Sequence, residues 1–161
     1  MLDLFRSLAT YNVWANGRML DTAALLTPRQ FIAGDGDAPS IRDILVHMLA
    51  AQRIWQERCR GVPITPWARP EEYPDVATLR AAWADVDAAW RSYLETRSEA
   101  DLLGTLTYVN LKGEAWSYLY WQAMLQELNH ATQHRSEVAW LLTAAGYSPG
   151  DLDYLVYIDG R

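Results

Sequence analysis

Apolar side chains return every three or four residues in four long stretches, the spacing that gathers them on one face of an α-helix. Leu4, Leu8, Tyr11 and Trp14 mark the first, which runs from about Leu2 to Leu26. Thr27 and Pro28 then restart a short turn, the threonine as cap and the proline at the first helical position. A second helix is expected from Ser40, with Asp43 three residues on in a near capping-box pattern. It continues through Ile44, His47, Met48, Ala51, Ile54 and Trp55 to about Gly61. A third, from about Val76 to Arg97, turns Leu79, Trp83, Val86, Trp90 and Leu94 inward. The fourth runs from about Tyr118 to Ala145 and stops at Gly146. Its inward stripe is Leu125, Leu128, Ala131, Val138, Leu141 and Leu142.

Between these stretches the pattern breaks. Gly34 to Pro39 reads as loop. The segment GVPITPWARPEEYP holds four prolines in fourteen residues, which excludes regular structure. Loops of that length in a compact domain are often functional. From Leu103 to Trp116 the period shortens to alternation, rich in Thr, Tyr and Val, with Asn110 to Gly113 as the turn of a small hairpin. The tail SPGDLDYLVYI is apolar enough to dock on the body. The expected architecture is all-α: one domain over residues 1–161, a four-helix bundle with a small β-hairpin insertion before the last long helix. Connection lengths leave the packing order of the helices open.

Half of the residues are hydrophobic and 21% are charged, as in a soluble globular domain. The net charge of −6 and the scatter of arginines among acids argue against a nucleic-acid surface. A single cysteine, Cys59, excludes an internal disulfide and fits a cytoplasmic setting. No apolar run approaches the roughly 20 residues of a membrane span. The opening MLDLFRSL lacks a basic region followed by an apolar stretch, so no signal peptide is expected. Eight Trp and nine Tyr against two Phe is an aromatic choice that suits pocket walls and subunit contacts as well as cores.

The chain has three histidines. His130 and His134, four apart, share a helix face, bordering the apolar stripe. His47 lies on the apolar side of the second helix. A lone histidine at a helix contact is more often hydrogen-bonded packing than a ligand. Two at this spacing with a third from a facing helix can instead coordinate one divalent ion. Three protein ligands leave a position open for water or substrate, the arrangement of a catalytic site. Imidazole suits zinc, nickel, copper or iron.

YNVWANGRML at 11–20, SIRDILVHMLAAQRIW at 40–55 and NHATQHRSEV at 129–138 resemble, in order and spacing, the three signature regions of the DinB family. The resemblance covers essentially the whole chain. It implies a divalent metal, most often zinc or nickel, held by His47, His130 and His134. It also implies a homodimer, and a small-molecule substrate such as a low-molecular-weight thiol in an S-transferase or isomerase reaction. Two departures weaken transfer of any particular substrate. Gln126 stands where many relatives carry a further histidine, and Ser136-Glu137 replaces the usual Gly-Gln.

Around the histidines, Asp43 either accepts a hydrogen bond from His47 or caps its own helix. Glu127 and Gln126 are the candidates for a catalytic role. Glu127, three residues before His130, is either a proton carrier or a solvated helix glutamate. Asn12 and Asn16 make cross-bundle hydrogen bonds, near the site or purely structural. Arg135 diverges by about 100° from His134 and reads as an ion-pair or interface residue. Cys59, roughly 18 Å along the helix from His47, is too far to be a fourth ligand. Trp55, Trp67 and Trp121 line a cleft or fill core and dimer contacts. Two functions follow: a metal-dependent enzyme, or a non-catalytic, metal-stabilised dimeric binding module.

Overall fold

A computed structural model describes residues 1–34, 36, 38–110 and 112–160. Asp35 and Asp37 of the expected 34–39 loop, and Leu111 of the expected hairpin turn, lie outside the described residues. The four long helices are α1 (Leu2–Ala23), α3 (Ile41–Arg60), α4 (Val76–Glu95) and α6 (Tyr120–Ala144). Short helices α2 (Pro28–Ile32), α5 (Glu99–Leu102) and α7 (Tyr154–Ile158) join or follow them. No helix among the described residues is long and apolar enough to cross a membrane.

The helix ends follow their side chains. Ser40 and Asp43 form a reciprocal capping box on α3, and Gly61 closes it in the left-handed conformation at φ 65°. Thr27 and Gln30 do the same for α2. The chain leaves α1 at Ala23 rather than Leu26. Leu25 and Leu26 donate to carbonyls only three residues back, a tightened turn leading into the Thr27 cap.

Strands β1 (Thr105–Val109) and β2 (Ala115–Leu119) form the hairpin, with Thr105 opposite Leu119 and Val109 opposite Ala115. The Asn110 side-chain carbonyl accepts from the backbone N–H groups of Lys112 and Glu114, which fixes the turn. β2 runs past Trp116, so α6 begins two residues later than its expected Tyr118.

Helix α6 packs between α3 and α1, and α4 packs between the same two on the opposite side. The ring order is therefore α1, α4, α3, α6. Its core divides along the bundle axis. One apolar cluster holds Met19, Leu45, Leu49, Leu79, Trp83, Val138 and Leu142. The other holds Phe5, Cys59, Trp90, Leu94, Leu106 and Met124. Between them lies a buried polar layer: Asn12 and Asn16 of α1, Gln52 of α3, and Glu127 and Arg135 of α6.

That layer explains where the apolar pattern misleads. The core face of α1 runs Leu2, Phe5, Asn12, Asn16 and Met19, while Leu4 is 55% exposed. Tyr11 and Trp14 face the docked tail, packing against Tyr154 and Tyr157 of α7. The Tyr11 hydroxyl donates to the Leu152 carbonyl at 2.7 Å, so α1 has two packed faces rather than one. In α6 the core face is Met124, Glu127, Ala131, Arg135, Val138 and Leu142. Leu125, expected inward, is 46% exposed because two ionisable residues hold positions on the inner face.

Candidate metal centre

Helix α3 carries His47 beside the core residues Val46 and Met48, and α6 carries His130 and His134 one position round from Ala131 and Arg135. An offset of one residue is about 100° on a helix. It places the rings at the edge of the α3–α6 interface, half-buried rather than in the core. There they converge. The ring centroids of His47, His130 and His134 are 4.5 to 5.1 Å apart. One nitrogen from each lies within 4.8 Å of the other two. Nε2 of His47 and Nε2 of His130 are 3.1 Å apart. Neighbouring ligands on an ion with bonds of about 2.0–2.1 Å are separated by roughly 3 Å, so the spacing of this pair suits a shared ion.

The protonation states point the same way. Burial lowers the pKa of His47 and of His130, the latter to about 4, and the neighbouring imidazoles add to the effect. Neutral imidazole is the form that ligates. The set is compatible with one divalent ion.

A sequence model of the DinB family matches residues 1–161, the whole chain. The chain belongs to the DinB family. Comparison with curated proteins finds no match.

This DinB-family chain holds its histidines in a particular frame. Nδ1 of His134 lies 2.7 Å from the Glu137 carboxylate, one turn on. In the neutral ring Nδ1–H donates, which leaves Nε2 as the ligating nitrogen. Glu137 belongs to the very segment that departs from the common family pattern, and its i,i+3 spacing from His134 is the signal that marks it as a partner. Trp67, from the proline-rich loop, packs its ring 5.3 Å from that of His47. Two residues of α3 hold this loop. Glu57 accepts from the Thr65 N–H at 2.8 Å and from the Thr65 hydroxyl, and Arg53 donates to the Pro66 carbonyl at 2.8 Å.

The other sequence candidates take distinct places. Asp43 is a cap: its carboxylate accepts from the Ser40 N–H and from Arg42, with no contact to His47. Arg135 is neither a surface ion pair nor an interface residue. It is buried, donating to the side-chain oxygens of Asn12 and Asn16 and to Thr132, with its guanidinium 5.4 Å from the Tyr11 ring. Asn12 and Asn16 thus tie α1 to the residue beside His134. Asn16 also donates to Gln52, which accepts from Trp83 Nε1 at 2.9 Å and donates to Asp87 at 2.7 Å.

Glu127 is not a solvated helix glutamate. Burial pushes its carboxyl up to about 8, with Arg135 opposing the shift, and one of its oxygens has no hydrogen-bond partner. Burial favours its protonated form, and it makes no hydrogen bond with any of the three imidazoles. Gln126 is exposed and lines a separate cavity beside the hairpin. Trp55 lines the same cavity, and Trp121 packs against the second core cluster. Cys59 is buried in that cluster, its thiol pushed up to about 12 by burial, and forms no part of the histidine site.

Proposed function

We propose that this protein is a metal-dependent enzyme in which His47, His130 and His134 hold one divalent ion, zinc or nickel, and that it acts on a small molecule through a low-molecular-weight thiol. The convergence of three imidazoles at the edge of the bundle carries this reading. Two are kept neutral by burial and the third is oriented by Glu137. A bound divalent ion supplies a Lewis acid that lowers the pKa of a thiol or water at the open coordination position.

The chain's own residues supply the rest. Glu137 fixes the tautomer of His134. Trp67 covers one side of His47 and limits water there, while the edge position leaves the rings reachable. Glu127, a protonated carboxyl one turn from His130 along α6, is the proposed proton carrier. Gln126, one turn before His130 and on the same face of α6 as the ring pair, contacts the substrate. The homodimer and the cytoplasmic setting belong to the same proposal.

Cobalt-substituted protein titrated with bacillithiol, mycothiol and glutathione tests the thiol. A change in the cobalt absorption bands with at least one of them is expected. Unchanged spectra with all three would remove the thiol from the reading. A melting temperature that rises with metal, together with those unchanged spectra, would favour the non-catalytic, metal-stabilised module instead.

A further inference from the structure

We infer that the cavity between α3, α6 and the hairpin is a carboxylate-binding subsite centred on Arg58, and that it holds the far end of an elongated substrate. The inference deepens the proposed function and rests on it for the word substrate; the anion site itself stands on its own geometry. The cavity, of about 620 Å³, has the size of a small-molecule pocket. Its walls are Trp55 and Arg58 of α3, Tyr108, Trp116 and Tyr118 of the hairpin, and Gln126 of α6.

Arg58 differs from Arg42 and Arg53 of the same helix in what its guanidinium meets. Arg42 pairs with Asp43, and Arg53 donates to the Pro66 carbonyl. The Arg58 guanidinium makes no ion pair or hydrogen bond among the described residues, and its Nε is buried without a partner. What holds it is aromatic: its carbon lies 4.0 Å from the Tyr108 ring centroid and 4.6 Å from that of Trp55. Stacking of this kind fixes the plane of the fork while leaving its N–H groups to an acceptor. A carboxylate matches that fork in a bidentate manner. The buried Nε has given up water without gaining a protein acceptor, and the surrounding rings offer an apolar body its contact surface.

The position sets the length of the occupant. Gln126, on the cavity wall, is one helical turn from His130, about 6 Å along the axis. Arg58 is eleven residues beyond His47, roughly 16 Å along α3. A molecule anchored on Arg58 and reaching the imidazoles spans on the order of 10 Å or more, with its anionic group at one end and its reacting group at the other.

The experiment is calorimetric titration of the protein as purified with 4-phenylbutyrate and with its neutral amide, at fixed ionic strength. The acid is expected to bind at least tenfold more tightly than the amide. Arg58→Gln should abolish that preference, and Gln126→Glu, which leaves Arg58 in place, should weaken the acid several-fold while sparing the amide. Equal binding of acid and amide, binding of neither, or an undiminished preference in both variants would overturn the subsite. Repeating the titration on His47→Ala separates the two readings. The carboxylate preference survives there if the subsite is real, whatever that variant does to metal content.

Discussion

Glu137 stands 2.7 Å from Nδ1 of His134, the one imidazole of the three whose second nitrogen is held by a carboxylate. The bond selects which ring nitrogen is left for an ion and stops the ring from turning. Removal of such a partner commonly weakens metal affinity 10- to 100-fold without abolishing it. Glu137→Gln, which keeps the shape but gives up the carboxylate, is therefore expected to raise the zinc dissociation constant by about that factor. Competition against a chromophoric chelator measures it. An unchanged constant would show that Glu137 is a surface acid with no part in the site.

Burial of Glu127 makes stability depend on pH in a defined direction. Its carboxyl sits at about 8 in the fold against an ordinary 4.5, so the folded chain binds the proton more tightly than the unfolded one. The stabilisation is complete below pH 4.5 and is lost as pH rises toward 8. The ceiling for this one group is up to about 5 kcal/mol, since each tenfold change in proton affinity is worth about 1.4 kcal/mol. Asp87, pushed up to about 6 by burial, adds a slope of the same sign at lower pH. Glu127→Gln should flatten the decline between pH 5 and pH 8 in urea-melt series. An identical slope in the variant would mean that the carboxyl is solvated.

Arg135 is the cation of the polar layer, and its neighbours depend on it. Without the guanidinium, the oxygens of Asn12 and Asn16 lose a buried donor, and Glu127 loses its opposing charge. Arg135→Met is expected to cost roughly 2–6 kcal/mol, about 1–3 kcal/mol for each of the two buried asparagine oxygens left without its donor. Arg135→Lys should recover only part of it, because an ammonium cannot reach Asn12, Asn16 and Thr132 in one plane. Denaturant unfolding of the two variants checks both. A loss below about 1 kcal/mol for the methionine variant would contradict the network.

The bundle, the hairpin and the three histidines were legible because each rests on a local rule: helical spacing, alternation with a turn, and the i,i+4 pair. The inner faces of α1 and α6 were not, because both carry polar residues where a periodic reading looks for apolar ones. Asn12, Asn16, Glu127 and Arg135 satisfy one another only across helices, and no single window of sequence contains the pairing. Leu125 fits the apolar period of α6 only because the inner face there includes Glu127, whereas Leu4 is simply one position round from the core residue Phe5. Asp43 offered two local readings, and the cap won because Ser40 lies within its reach while His47 does not. Glu137 was within reach of sequence reasoning through its i,i+3 spacing from His134. Trp67 was not, since its place over His47 depends on Glu57 and Arg53 tethering a proline-rich loop.

The most direct test is elemental analysis of untagged protein beside its His47→Ala and His134→Ala variants, with folding confirmed by circular dichroism. About one equivalent of divalent metal per chain is expected in the native protein, with loss of most of it in each variant. Full metal content in both folded variants would contradict a shared ion at these three rings.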